Sequence, residues 1–248
     1  MQNPAKTMNN TSNKLFFWTL LGFAGLLLGS WWWLPSGLYW DLLDEKLFFL
    51  INDSFSGHPV WQWLWAITNY RPFDLILLLL ITLPFYNTLH FKTHSKTTLL
   101  ANFLVLVSVA FSLRIFIEYI LGIERLSPTM VFQSITFLHH LVPLPCKDKA
   151  IGCFPGDHAM ISLVWFFLLL EKGDNKLRCY GLFVVVLASL PRIMSGAHWF
   201  SDDAVGSIAV ACFSYAVVNR CALGHYLQQR TITLIYFLSY KEQKAQLS

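Results

Sequence analysis

Thr98 to Ile117 reads TLLANFLVLVSVAFSLRIFI, an apolar run interrupted by a single charge, Arg114. A helix needs roughly 20 apolar residues to cross about 30 Å of hydrocarbon, so this stretch is read as a membrane span. Similar runs lie on both sides of it: about Leu15 to Leu34, Phe73 to Leu89, Ala159 to Leu170, Cys179 to Leu190 and Ala204 to Val218. The two shortest extend through flanks at Pro155 to His158 and Arg192 to Gly196. The expectation is an all-α, polytopic six-helix transmembrane bundle. It forms one membrane domain over 15–237, with tails at 1–14 and 238–248.

Composition agrees with this reading. The 248 residues are 55% hydrophobic and 13% charged, whereas soluble domains carry about 25% charged residues. Disorder, collagen and a secreted disulfide scaffold are excluded. The net charge of +4 is spread over loops and tails with no dense basic stripe, which argues against a nucleic-acid partner and for lipid. A cleaved signal would have an apolar region of about 7 to 15 residues ending at small residues. The first run is longer and ends at Trp31-Trp32-Trp33, so it is read as an uncleaved anchor with interfacial aromatics.

Lys and Arg are enriched on the cytoplasmic side of membrane proteins. With the N-terminus inside, Lys6, Lys14, Lys92, Lys96, Lys172, Lys176, Arg178, Arg220, Arg230, Lys241 and Lys244 fall on that side. The opposite side keeps Lys46, Arg71, Arg125, Lys147, Lys149 and Arg192. The count favours both termini inside and puts loops 35–72, 124–157 and 191–203 outside. Cys146 and Cys153 flank part of the second outer loop; a disulfide and two free thiols are both compatible with their spacing.

Ionisable side chains at span ends suggest function by default, and here they converge on the outer face. The last outer loop runs Pro191-Arg192-Ile193-Met194-Ser195-Gly196-Ala197-His198-Trp199-Phe200-Ser201-Asp202. His198 and Asp202 are four apart, so on a helix the carboxylate can fix the imidazole tautomer and prepare a nucleophile. Phe154-Pro155-Gly156-Asp157-His158 ends the second outer loop and opens the fourth span. A helix N-terminus suits phosphate, and a second His there suits protonation of a leaving oxygen. Taken singly, each segment reads more simply as an interfacial His beside helix-start residues, with Asp157 as an N-cap. Arg125, in Arg125-Leu126-Ser127-Pro128, joins Arg192 as a second guanidinium matched to phosphate oxygens; alone, it reads as a surface anchor.

Together these segments resemble the type 2 phosphatidic acid phosphatase superfamily. Its signature is Lys, six residues, Arg-Pro; then Pro-Ser-Gly-His; then Ser-Arg, five residues, His, three residues, Asp. The resemblance implies a helical bundle in which His198 attacks phosphorus, Asp202 orients it and His158 is the general acid. It also implies that Arg125, Arg192, Gly156 and Asp157 bind substrate phosphate, with no metal or other cofactor. The chain departs from the signature at several places. Glu118 stands at the Lys position, and Arg114, one turn earlier, either replaces that cation or pairs with Glu118. Leu126 replaces Pro, Gly156 and Asp157 replace Ser-Gly, and Pro191 replaces Ser.

Phe-Pro-Gly-Asp-His, Arg-x-Ser-Pro-Thr and Gly-Ala-His-Trp-Phe-Ser-Asp are similar to the lipid A 1-diphosphate synthases. That likeness extends through Ser30-Trp31 and Thr68-Asn69-Tyr70-Arg71-Pro72-Phe73-Asp74. It implies transfer of a phosphate from undecaprenyl pyrophosphate to the 1-phosphate of lipid A at the periplasmic face of a bacterial inner membrane. Transfer requires a second anion site, for which Lys147, Lys149 and Arg71 are the candidates; ordinary loop charge attracted to headgroups is the plainer reading of each. Two rivals remain: a lipid phosphate phosphatase using the same residues, and a transporter or structural protein whose loops only bind headgroups. Oligomeric state is left open.

Overall fold

A computed structural model describes residues 11–33, 36–86 and 96–246. Lys6, Lys92, Leu34 and the end of the second expected span, 87–89, lie outside the described residues. The described chain is helical, and its two isolated β-bridges, Tyr70 with Cys146 and Leu126 with Ile151, only tie loops together.

Eleven helices are described: α1 (Thr11–Trp32), α2 (Ser36–Asp53), α3 (Pro59–Thr68), α4 (Phe73–Tyr86), α5 (Lys96–Ile115), α6 (Pro128–Val131), α7 (Leu138–Leu141), α8 (Asp157–Lys172), α9 (Asn175–Met194), α10 (Ile208–Arg220) and α11 (Ala222–Gln246). α5 runs on into a π-helical turn, Phe116–Ile120, and α10 is preceded by another, Asp202–Ser207. Such turns are rare and gather at functional sites.

Among the described residues, each of the six expected runs falls largely on a helix, but their lengths differ. Lys14–Trp32, Lys96–Ile120 and Asn175–Met194 are long and apolar enough to cross a membrane. Asp202–Arg220 and Ala222–Leu238 together pass the same test as a pair bent by 77°. α4 is shorter than a span as described. The segment expected as the first outer loop holds α2 and α3 among its described residues. α11 continues through residues expected to be a tail.

α10 is central: it packs against α1, α5, α8 and α11, while α9 lies against α8 and α4. The core joins Val105, Leu106 and Ala110 of α5 to Met160, Val164 and Leu168 of α8 and to Val210, Ala211 and Tyr215 of α10. Opposite faces leave Leu26, Leu79, Ile120 and Phe237 exposed, as a lipid-facing surface requires.

The α8–α9 connection fixes the site. Only Gly173 and Asp174 separate the two helices, and Asp174 caps α9 by accepting from the Leu177 amide at 2.9 Å. So short a link forces antiparallel neighbours. At Gly181 a Cβ would come within 2.8 Å of Leu169 Cδ1 and 2.9 Å of Phe166 Cδ2, so glycine sets the close approach. The start of α8, with His158, therefore lies beside the end of α9, with Arg192.

Candidate active site

His198 is reached by a turn that needs glycine. After α9, Gly196 has φ +72°, and a Cβ there would lie 2.7 Å from Thr129 Cγ2 and 2.8 Å from Phe48 Cε2. The turn buries His198 and aims Nδ1 at the Cys153 carbonyl, 2.8 Å away. A carbonyl can only accept, so Nδ1 carries the proton and Nε2 keeps its lone pair. The Asp202 carboxylate is 3.7 Å from Nδ1, beyond hydrogen-bond reach. This corrects the expectation that Asp202 fixes the tautomer: a backbone carbonyl does so, and Asp202 contributes its field. Burial disfavours the imidazolium, but Asp202, Asp203 and the Cys153 carbonyl outweigh it, and the His198 pKa lies above its ordinary value.

Asp202 is held by other donors. Its Oδ1 accepts from Arg125 at 2.7 Å and its Oδ2 from the Trp199 amide at 2.7 Å. Arg125 also donates to Ser201 Oγ at 2.7 Å and to Asp44 Oδ2 at 2.8 Å. Its guanidinium lies 5.5 Å from the Trp31 ring centre and 5.0 Å from that of Trp199. Asp44, fully buried on α2, accepts from the Ser201 amide at 2.8 Å and from Ser201 Oγ at 2.5 Å. Arg125, expected to bind phosphate, lies between two buried carboxylates and two indoles. Burial alone would lower its pKa, but Asp202 and Asp44 more than reverse this and secure its charge.

Arg192 stands differently. It reaches Asn69 Oδ1, donates to Asp74 Oδ1 at 2.6 Å and lies 2.9 Å from His158 Nε2. The same His158 nitrogen is 3.1 Å from Asp74 Oδ1. It can accept from Arg192 only when unprotonated and donate to Asp74 only when protonated. The trio therefore has two hydrogen-bonded arrangements that differ by one proton, which suits an acid that gives up its proton during the reaction.

Gly156 and Asp157 are placed otherwise than expected. A Cβ on Gly156 would lie 2.0 Å from Asp203 Oδ1, so the glycine admits the π-turn carboxylate, and its amide points at the Asp202 carbonyl, 3.4 Å away. Gly156, not Asp157, is the N-cap residue of α8. Asp157 pairs with Arg114, which also holds Glu118 Oε2 at 2.6 Å. Arg114 is thus paired with Glu118, as one of the two expected alternatives had it, and two carboxylates balance its charge.

The three candidates for a second anion site divide. Lys147 lies in the field of Arg192, Arg71, Asp74 and Asp157; partial desolvation, reinforced by Arg192, pushes its pKa down. Its backbone is fixed to Asn69, whose carbonyl accepts from the Lys147 amide at 3.1 Å. Lys147 and Arg71 thus adjoin the Arg192 cluster. The Lys149 ammonium sits 4.6 Å from the Phe137 ring centre, and only a shallow cleft of about 380 Å³ joins it to Lys147.

Cys146 and Cys153 are free thiols. The Cys153 sulfur, an imidazole nitrogen of His198 and an Asp202 oxygen lie within 4.8 Å of one another, a set with metal-ligand chemistry. Its fit to a metal is poor, because metal binding needs a thiolate. The Cys153 thiol instead donates to the Arg125 carbonyl at 3.0 Å, and burial raises its pKa strongly.

Asp44, Asn69, Asp74, Ser201 and the Cys153 carbonyl are site members to which the sequence attached no role. Asn69 and Asp74 fell inside a stretch that carried the resemblance; Asp44 carried no signal.

No family model matches the chain. The chain is 30% identical to the lipid A 1-diphosphate synthase of Escherichia coli (strain K12) over 195 residues, which are 77% of this chain and 81% of that one. Among solved structures, it is similar to the crystal structure of Aquifex aeolicus LpxE, with 19% identity and a TM-score of 0.48, over 71% of this chain and 94% of that one. The identity and coverage shared with the E. coli enzyme, on a helical fold that gathers the signature's two histidines at one end, establish that the chain belongs to the type 2 phosphatidic acid phosphatase superfamily, on the lipid A 1-diphosphate synthase branch.

Proposed function

We propose that the chain transfers the terminal phosphate of undecaprenyl pyrophosphate to the 1-phosphate of lipid A through a phosphohistidine at His198. The observation that carries this reading is the hydrogen bond from His198 Nδ1 to the Cys153 carbonyl, which leaves Nε2 as a fixed nucleophile. In the first step Nε2 attacks the terminal phosphorus. The bond to the bridging oxygen breaks, and undecaprenyl phosphate leaves with the proton from His158 Nε2. Arg192 holds the transferring phosphoryl oxygens, where a preorganised cation acts on developing charge. In the second step a 1-phosphate oxygen of lipid A gives its proton to His158 Nε2 and attacks the phosphohistidine; the bond from phosphorus to His198 Nε2 breaks, forming the diphosphate and restoring neutral His198 and protonated His158. Lys147 and Arg71 receive the acceptor phosphate. Arg125 and Asp44 position Asp202 and touch neither substrate.

The Lys and Arg distribution supports a bacterial inner-membrane placement with both termini in the cytoplasm and the site facing the periplasm. α1, α4, α5, α8, α9 and α10 serve as the six crossings, since the ends of α5 and α9 and the starts of α4, α8 and the α10 π-turn all carry site residues.

The test is incubation of purified protein with undecaprenyl pyrophosphate labelled on its terminal phosphate, with and without lipid A. Label on lipid A that disappears in His198→Ala is expected. Label released only as free phosphate would make the chain a phosphatase and overturn the transfer.

A further inference from the structure

A cavity of about 600 Å³ lies away from the His198 site, among the first turns of α1 and α5, the end of α8 and the α10–α11 junction. α8 runs from His158 to Lys172, so a rise of 1.5 Å per residue puts this cavity about 20 Å from the catalytic cluster, at the other end of the bundle.

Its lining has the character of a headgroup site. Lys14, Lys172 and Arg220 face Glu171 as the lone acid, and Trp18 and Leu99 supply an apolar wall. Lys172 holds Glu171 Oε1 at 2.8 Å, and the other Glu171 oxygen accepts from Tyr215. The carboxylate is thus already satisfied inside the protein, and the lining keeps an excess of positive charge. The inner wall is polar where a bundle core would be apolar. Asn219 Oδ1 accepts from Asn102 at 3.2 Å and from Gln228 at 3.3 Å, and Asn102 Oδ1 accepts from Gln228 at 3.0 Å. Asn219 Nδ2 is buried with no hydrogen-bond partner among the described residues. A buried amide group left unmatched is costly, and Asn219 is one of the residues that line the cavity.

The level of the cavity names the source of that oxygen. Lys14–Trp32 and Lys96–Ile120, two of the helices long enough to span a membrane, both begin there, so it sits where phospholipid headgroups lie. Basic pockets between membrane helices bind phosphate-bearing lipid headgroups.

We propose that this cavity binds the phosphodiester headgroup of an anionic glycerophospholipid in the leaflet opposite the catalytic face. Phosphate oxygens meet Lys14, Lys172 and Arg220, beside the polar wall of Asn102, Asn219 and Gln228.

Purified full-length protein in an uncharged detergent is titrated with phosphatidylglycerol, phosphatidylcholine and glycerol 3-phosphate, and native mass spectrometry counts the bound molecules. Phosphatidylglycerol is expected to bind about tenfold more tightly than phosphatidylcholine, and Arg220→Gln and Lys14→Glu are expected to remove that preference. Lys14→Glu, at the exposed first turn of α1, keeps the test valid if Arg220→Gln does not fold. Equal binding of the two lipids would overturn the proposal. So would a preference that both variants retain, since the lipid would then be at the catalytic end. Glycerol 3-phosphate binding as tightly as phosphatidylglycerol would assign the cavity to a soluble phosphate and overturn its lipid source.

Discussion

Arg125 and Arg192 look alike in the sequence, as two arginines on one membrane face in motifs of one signature, yet their surroundings divide the site. Arg125 is enclosed by Asp44, Asp202, Ser201, Trp31 and Trp199, so its donors and its faces are occupied by the protein. Arg192 shares its fork with Asp74, which is partly exposed, and abuts His158 Nε2 at 2.9 Å. A guanidinium buried against two carboxylates builds structure, because exchanging those partners for substrate would leave two buried charges unpaired. Arg192 is the more buried side chain, but its partners are one partly exposed carboxylate, an amide and an imidazole, which an incoming phosphate displaces more readily than two buried carboxylates. Chemical type alone did not distinguish them; the partners did.

The predictions test that division. The largest effect falls on His198, on which both halves converge: His198→Ala is expected to lower phosphate transfer by about 10⁴-fold or more, as loss of a nucleophile does. Arg192→Ala is expected to lower kcat by about 10² to 10³ and, because Arg192 is itself buried and bonded to Asn69 and Asp74, to lower the apparent Tm as well. Arg125→Ala should lower the apparent Tm, since removing one partner of a buried pair costs about 3 to 5 kcal/mol, with a smaller loss of kcat in the protein that remains folded. Initial rates corrected for the folded fraction separate the two, and a larger loss of kcat in Arg125→Ala would exchange their roles.

A pH profile sharpens the Arg125 side. His198 reacts only when neutral, and its pKa lies above the ordinary value, so the acid limb of kcat/KM is expected above about pH 6.5. Asp202→Asn removes an anion that holds the proton on, so the limb should move to lower pH. A limb that stays in place would mean that Asp202 does not act on His198.

The smallest effect is expected at the rim. Lys147→Ala should raise the KM for the lipid A acceptor severalfold and spare donor hydrolysis, whereas Lys149→Ala, whose ammonium faces Phe137, should change it less. Equal loss of transfer and hydrolysis in Lys147→Ala would remove it from the acceptor side.

What the sequence made legible was local or periodic. Apolar runs marked six of the helices, and the spacing of the motifs marked His158, Arg192, His198 and Asp202. What it hid depended on long separations or on the backbone. Asp44 meets Ser201 across 157 positions, from a loop in which nothing marked it. Asp74 meets Arg192 across 118. The acceptor that fixes His198 is a carbonyl, which every residue possesses and no motif can record. The four-residue spacing of His198 and Asp202 predicted a direct pair on a helix, but His198 lies in the bend before the helix, and the Asp202 carboxylate turns to Arg125 and the Trp199 amide instead.

The most direct test of the account is to quench the enzyme within the first turnover of labelled undecaprenyl pyrophosphate, without acceptor, and map the phosphorylated residue. The account predicts acid-labile, alkali-stable label on the peptide carrying His198, present in Arg125→Lys and absent in His198→Ala. Label on His158, or turnover with no labelled histidine in a chain that still transfers phosphate, would contradict it.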